Sequence, residues 1–182
     1  FMKNIFLVFA LMFLVNTTFS QKMLTRNGEI KFEATMPGIE EIAGTSTTSS
    51  CVLDISNGDI ATLILIKSFK FKSPLMEEHF NENYMESTKF PKATFKGKIL
   101  EFDKSKLSNK ATSYFIDGDL TIHGVAKKIK VKVTLSQNDG KVNVLGTFKV
   151  KPQDYGIEIP SLVKGKIAEY ADITLNFNLD KN

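Results

Sequence analysis

The chain has 182 residues, 24 lysines and arginines against 20 aspartates and glutamates, a formal net charge of +4, and a single cysteine, Cys51. That length carries one domain with a sizeable core, and a lone cysteine rules out an internal disulfide even in an oxidising compartment. Lysines that alternate along the chain instead of clustering argue against nucleic-acid binding and for, at most, transient contact with a membrane surface.

Residues 1–20 read as an export signal. Lys3 precedes an apolar run over residues 5–15, and Thr18 and Ser20 place small side chains at the positions that define cleavage, predicted after Ser20. The run is about half the roughly twenty residues a helix needs to cross a bilayer. The mature domain is then expected over residues 21–182, periplasmic or secreted. Cys51 lies too far from the cleavage point to carry an acyl anchor and is expected as a small buried or half-buried side chain.

From there the sequence alternates with period two, the pattern of half-buried strands. Ile30, Phe32 and Ala34 alternate with Glu29, Lys31 and Glu33. A Thr/Ser-rich strand then meets Asn57-Gly58, expected as a tight hairpin turn, and an apolar strand over residues 60–66, which Phe69 and Phe71 are expected to continue. Ser73 as N-cap and Pro74 at the first helical position predict a short helix to about Glu86, with Met76, Phe80 and Tyr84 on one face.

After Phe90-Pro91, Ala93, Phe95, Gly97 and Ile99 share a face, followed by a polar loop over residues 105–110. Tyr114, Ile116, Gly118, Leu120 and Ile122 come next, opposite Phe115, Asp117, Asp119, Thr121 and His123, with Gly124 marking a turn or bulge. Ile129, Val131, Val133 and Leu135 run into Asn138-Asp139-Gly140, which reverses the chain into Val142, Val144, Gly146, Phe148 and Val150. Ile173, Leu175, Phe177 and Leu179 form the last strand. About eight strands, short links and little helix predict an all-β, antiparallel barrel with one short helical insertion, a two-sheet sandwich being the alternative. Glycines 97, 118 and 146 on inward faces let a strand bend or leave room inside.

Several blocks carry a resemblance. His79-Phe80-Asn81-Glu82, Tyr84-Met85-Glu86-Ser87 and Phe90-Pro91-Lys92-Ala93-Thr94-Phe95, then Gly118 through Val125, then Phe148-Lys149-Val150 with Asp154-Tyr155-Gly156-Ile157, resemble the YceI-like family of exported lipid-binding proteins in order and spacing. The resemblance implies an extended, lipocalin-like barrel whose interior takes the tail of a polyisoprenoid or similar amphiphile. It implies no catalytic residues, and no cofactor beyond such a bound lipid.

Fifteen phenylalanines and no tryptophan suit an apolar interior that makes no demand for hydrogen-bond partners. Phe69, Phe71, Phe95, Phe148 and Phe177 are expected either to line a tunnel or to pack a core. Tyr114, Ile116 and Ile122 are expected to line it from the fifth strand. Met76, Phe80, Tyr84 and Met85 form either a gate or a plug. Tyr155 is divided between a polar rim and turn chemistry, with Asp154 assigned to the turn.

His79 and His123 fall on different elements with no metal-ligand spacing. His123, on the strand face of Asp117, Asp119 and Thr121, reads as an exposed or strand-end hydrogen-bonding side chain. An enzyme built on it would lack a nucleophile and an oxyanion feature. The competing function is a filled-core barrel acting as a stress-associated interaction module, with residues 103–112 or the helix as its contact surface.

Overall fold

The computed structural model describes residues 21–182, so the expected export signal over residues 1–20 lies outside the described residues. Eight strands follow in order: β1 (Lys22–Thr35), β2 (Ala43–Asp54), β3 (Asp59–Leu65), β4 (Lys92–Ile99), β5 (Thr112–Ile122), β6 (Val125–Asn138), β7 (Lys141–Val150) and β8 (Ile167–Lys181). Each pairs antiparallel with the next, and β8 returns to β1 with Phe32 opposite Ile173, closing a barrel. Every strand thus pairs with a neighbour on each side over at least part of its length, which excludes the sandwich alternative.

Two of the turns follow from local chemistry. His123 and Gly124 link β5 to β6, and Asp139 and Gly140 link β6 to β7, with φ of 52° and 76° in the first and 49° and 78° in the second. Paired positive φ values are the turn geometry that matches strand twist in two-residue hairpins. The Asn57-Gly58 turn differs from expectation. The link spans residues 55–58, because Asp54 Oδ1 accepts from the Ser56 amide at 2.9 Å and the Asp54 carbonyl accepts from the Gly58 amide at 2.8 Å. Gly58 then packs against Phe102.

Two other expectations are corrected. Phe69 and Phe71 do not extend β3: the chain turns through a 3-10 segment, Ile66–Ser68, and Lys70 then bridges to Thr45 at the start of β2. Alternation with Lys70 and Lys72 mimicked a strand where the chain had already left the sheet. The helix α1 (Pro74–His79) is shorter than expected and passes into one π-helical turn, Phe80–Tyr84. Ser73 does cap it, accepting from the Met76 amide, and Glu86 ends the insertion at a φ of 42°.

Ladder lengths shape the interior. β2 and β3 pair only from Ser50/Leu63 to Leu53/Ile60, and β6 and β7 only from Val133/Gly146 to Asn138/Lys141. These two seams lie four strands apart, so the barrel is two four-stranded halves that pair at one end and leave each other at the other. The paired end is filled by Met23, Cys51, Leu53, Tyr114, Leu135, Val142 and Leu179. At the open end, Ser68 Oγ lies 2.7 Å from Ser46 Oγ across the first seam. Tyr155 and Ile157 join a second apolar cluster with Ile129 and Phe148 beside the other seam.

Candidate functional site

Between the diverging halves lies a cavity of about 410 Å³. Its wall draws on every strand except β2, together with the insertion and the β7–β8 connection. Inward side chains such as Ile30, Phe32, Phe95, Ile129, Phe148 and Leu175 are only half-buried although they point away from solvent outside. Their free surface is the cavity. A cavity of this size falls in the range that encloses small ligands.

The insertion forms the cover. Phe80 stacks on Phe32 at a centroid distance of 5.0 Å and packs against Phe71 at 5.0 Å and Phe69 at 5.6 Å. Phe32 meets the edges of Phe69 and Phe71 at 5.4 and 5.5 Å. These rings come from β1, from the segment after β3 and from the π turn, so the aromatic cluster ties the insertion to the barrel rim. The wider turn at Phe80–Tyr84 brings Phe80, Tyr84 and Met85 all to the cavity wall.

Glycines at two inward positions do not leave space, contrary to one expectation. Gly97 and Gly118 face each other across β4 and β5, and the ring of Phe95 covers both, so that a Cβ on either would fall 2.7 Å from Phe95 Cζ. The ring fills the recess and offers its other side to the cavity. Gly146 is likewise covered, by Val133 and Leu175.

Of the residues expected at the site, Phe69, Phe71, Met76, Phe80, Tyr84, Met85, Phe95, Ile116, Ile122, Phe148 and Phe177 all lie on the cavity wall. Tyr114 and Tyr155 do not. Tyr114 points into the filled end near Phe102, and burial raises its phenol pKa. Tyr155 ends a 3-10 turn, Pro152–Tyr155, and is buried in the cluster beside the β6–β7 seam, again with its phenol pKa pushed up by burial. It is a wedge in the fold, not a rim residue. Asp154 belongs to that turn, as expected, and Gly156 follows at a φ of 70°.

Phe32, Ile30, Ile173 and Leu175 were missed as wall residues. Their alternation had placed them inward; only the seam geometry shows that they face space instead of a packed core. The polar wall groups are few: Thr62, Thr94, Tyr84, His79 and Lys166.

His123 turns away from Asp117 and Asp119. Its Nε2 donates to Glu86 Oε2 at 2.8 Å, its Nδ1 lies 3.3 Å from the Tyr155 carbonyl oxygen, and its ring packs on Phe90 at 4.2 Å. The side chain is only 10% exposed, so the exposed reading is corrected and the hydrogen-bonding one stands. Asp117 and Asp119 sit opposite Lys130 and Lys128 on the outer face. Among the described residues no cluster of three or more histidine, cysteine or acidic side chains is placed to hold a metal ion.

The filled-core alternative describes only the paired end of the barrel. Residues 103–112, one of its two suggested contact surfaces, lie there, away from the cavity, whereas the other, the helix, lies at the cavity. Cys51 is 0% exposed within that packed end, and burial pushes its thiol pKa up to about 12.

The sequence profile of the YceI-like domain matches residues 22–179. No curated protein matches the chain. Among solved structures, a polyisoprenoid-binding domain from Saccharophagus degradans implicated in plant cell wall breakdown superposes with a TM-score of 0.76 at 14% identity, covering 89% of this chain and 99% of that one. BcnA of Burkholderia cenocepacia superposes at 0.69 and 18% identity over 84% of this chain and 95% of its own. The Campylobacter jejuni YceI protein gives 0.58 and 19% over 76% and 84%. At these identities the likeness is one of fold.

Proposed function

The chain belongs to the YceI-like family, and from that membership we propose that it binds an apolar or amphiphilic, isoprenoid-like lipid in its cavity, as a carrier or store and not as an enzyme. The observation that carries the reading is the half-buried inward surface: a continuous wall of Phe, Ile, Val and Leu side chains that faces open space between two strand halves. Water in such a space gains few hydrogen bonds, whereas each methylene-sized group of a ligand that replaces it contributes about 0.8 kcal/mol. Ten such groups give roughly 8 kcal/mol gross before association costs, so apolar burial supplies the driving force without a charged anchor.

The few polar wall groups suit a ligand with one polar end. No nucleophile with a neighbouring base stands among them, and His123 is engaged in holding structure. The S. degradans domain, named for polyisoprenoid binding, supports the ligand class. The signal-like residues 1–20 support residence in the periplasm or outside the cell.

Displacement of an environment-sensitive naphthylamine dye tests the reading. Added prenyl alcohol is expected to quench dye fluorescence with saturation at one ligand per chain. Dye that neither enters nor leaves would sink it.

A further inference from the structure

The cavity has a built floor. On β8 the inward residues Ile173 and Leu175 are half-buried, but Phe177 is 1% exposed and Leu179 0%. Beyond Phe177, Met23, Cys51, Leu53, Val142 and Leu179 pack solidly. Phe177 belongs both to that packing and to the cavity wall.

A specific seat holds the ring there. Gly28 lies between the two register shifts of β1, opposite Ser49, and a Cβ on it would fall 2.3 Å from Phe177 Cδ1 and 2.6 Å from Cε1. Ser49 Oγ donates to the Gly28 carbonyl at 2.5 Å, fixing the bulged strand against its neighbour. Bulge, glycine and serine together make room for the ring directly against β1.

Depth and volume then limit the ligand. The wall on β8 runs from Ile167 to Phe177; those steps at about 3.3 Å each and a tilt of about 40° give a depth of roughly 25 Å. An isoprene unit adds chain bonds of about 1.5 Å and so about 5 Å of extended length, which allows at most about five units. The cavity volume of about 410 Å³ likewise lies toward the lower end of the range for sites that hold one small ligand.

We propose that this site encloses an isoprenoid tail only up to farnesyl to geranylgeranyl length, and that Phe177 seated on Gly28 is the residue that sets the limit. The inference rests on the lipid-binding reading above. Long polyprenyl chains reach the floor before their tails are enclosed, so their extra units stay in water and add nothing.

Native mass spectrometry of the folded protein, incubated with an equimolar mixture of geraniol, farnesol, geranylgeraniol and solanesol delivered from cyclodextrin, tests it. Affinity is expected to rise about tenfold per isoprene unit while the chain is enclosed, and to stay level beyond geranylgeraniol. Phe177→Ala is expected to move the preference toward the longer chain, with Phe177→Leu as the milder variant should Ala fail to fold. Solanesol as the dominant occupant of the unaltered protein, or an unchanged preference in folded Phe177 variants, would overturn the inference while leaving lipid binding intact. Failure of every prenol to bind would overturn the lipid-binding reading itself.

Discussion

His123 Nε2 and Glu86 Oε2 lie 2.8 Å apart, joining the tight turn between β5 and β6 to the far end of the insertion that covers the cavity. The same imidazole packs on Phe90 and approaches the Tyr155 carbonyl. One side chain thus holds together three segments that the ladder does not pair: the β5–β6 turn, the insertion and the 3-10 turn beside the β6–β7 seam.

His123→Ala is therefore expected to lower stability by about 2 kcal/mol in urea unfolding, the scale of a buried hydrogen-bonding group lost with its contacts. Glu86→Gln should cost under about 1 kcal/mol, since Glu86 is 43% exposed and glutamine keeps an acceptor oxygen. If the two variants prove equally costly, the carboxylate charge matters more than the packing of the ring.

Gly118→Ala should be among the most damaging small changes in the barrel. The new Cβ would meet the Lys96 carbonyl oxygen at 2.4 Å and Gly97 Cα at 2.5 Å, both backbone atoms that cannot swing aside. A loss of about 3 kcal/mol or more is expected, the upper end for overpacking. Gly146→Ala, where the nearest contact is a Val133 methyl at 3.0 Å, should cost clearly less in the same thermal melts.

These glycines show where sequence reading stops. Alternation placed Gly97 and Gly118 inward, and the barrel class followed from eight such runs. That Phe95 folds over both could not be read, because it depends on Gly97 standing opposite Gly118 in the register. Tyr114 is misplaced for a related reason, whereas of the two readings of Tyr155 the turn stands and the rim does not. Tyr114 has the right parity but sits on the packed side of the floor, and Tyr155 lies in a turn where parity has no meaning. The cavity itself comes from seams that stop at Val133/Gly146 and Ser50/Leu63, and both strand pairs keep alternating past those points.

Cys51 gives a pH dependence of known sign. Its thiol stays protonated in the fold up to about pH 12 but ionises at its ordinary value of 9.0 once unfolded. The stabilisation is thus complete below pH 9 and lost as pH rises from there toward 12. Wild-type stability should fall about 1.4 kcal/mol per pH unit more steeply than that of Cys51→Ala in that window. At pH 8 iodoacetamide should label Cys51 only in urea. Rapid labelling of the native protein would show the packed end to be open.

Phe80→Ala removes the ring shared by Phe32, Phe69 and Phe71 without touching the packed end. Dye release from the cavity should speed up about tenfold, equivalent to about 1.4 kcal/mol of lost cover, while the melting temperature falls by only about 2–4 °C. A large fall in melting temperature with unchanged release would make the insertion a plug for the fold and not a cover for the ligand.

The space between the two strand halves is proposed to hold a lipid. Native mass spectrometry of the protein purified without detergent from its own host, followed by denaturation and organic extraction, tests this most directly. A single stoichiometric apolar species, released on unfolding and extractable into solvent, is the predicted result. A clean unliganded mass from protein that also fails to take up added prenols would contradict the account.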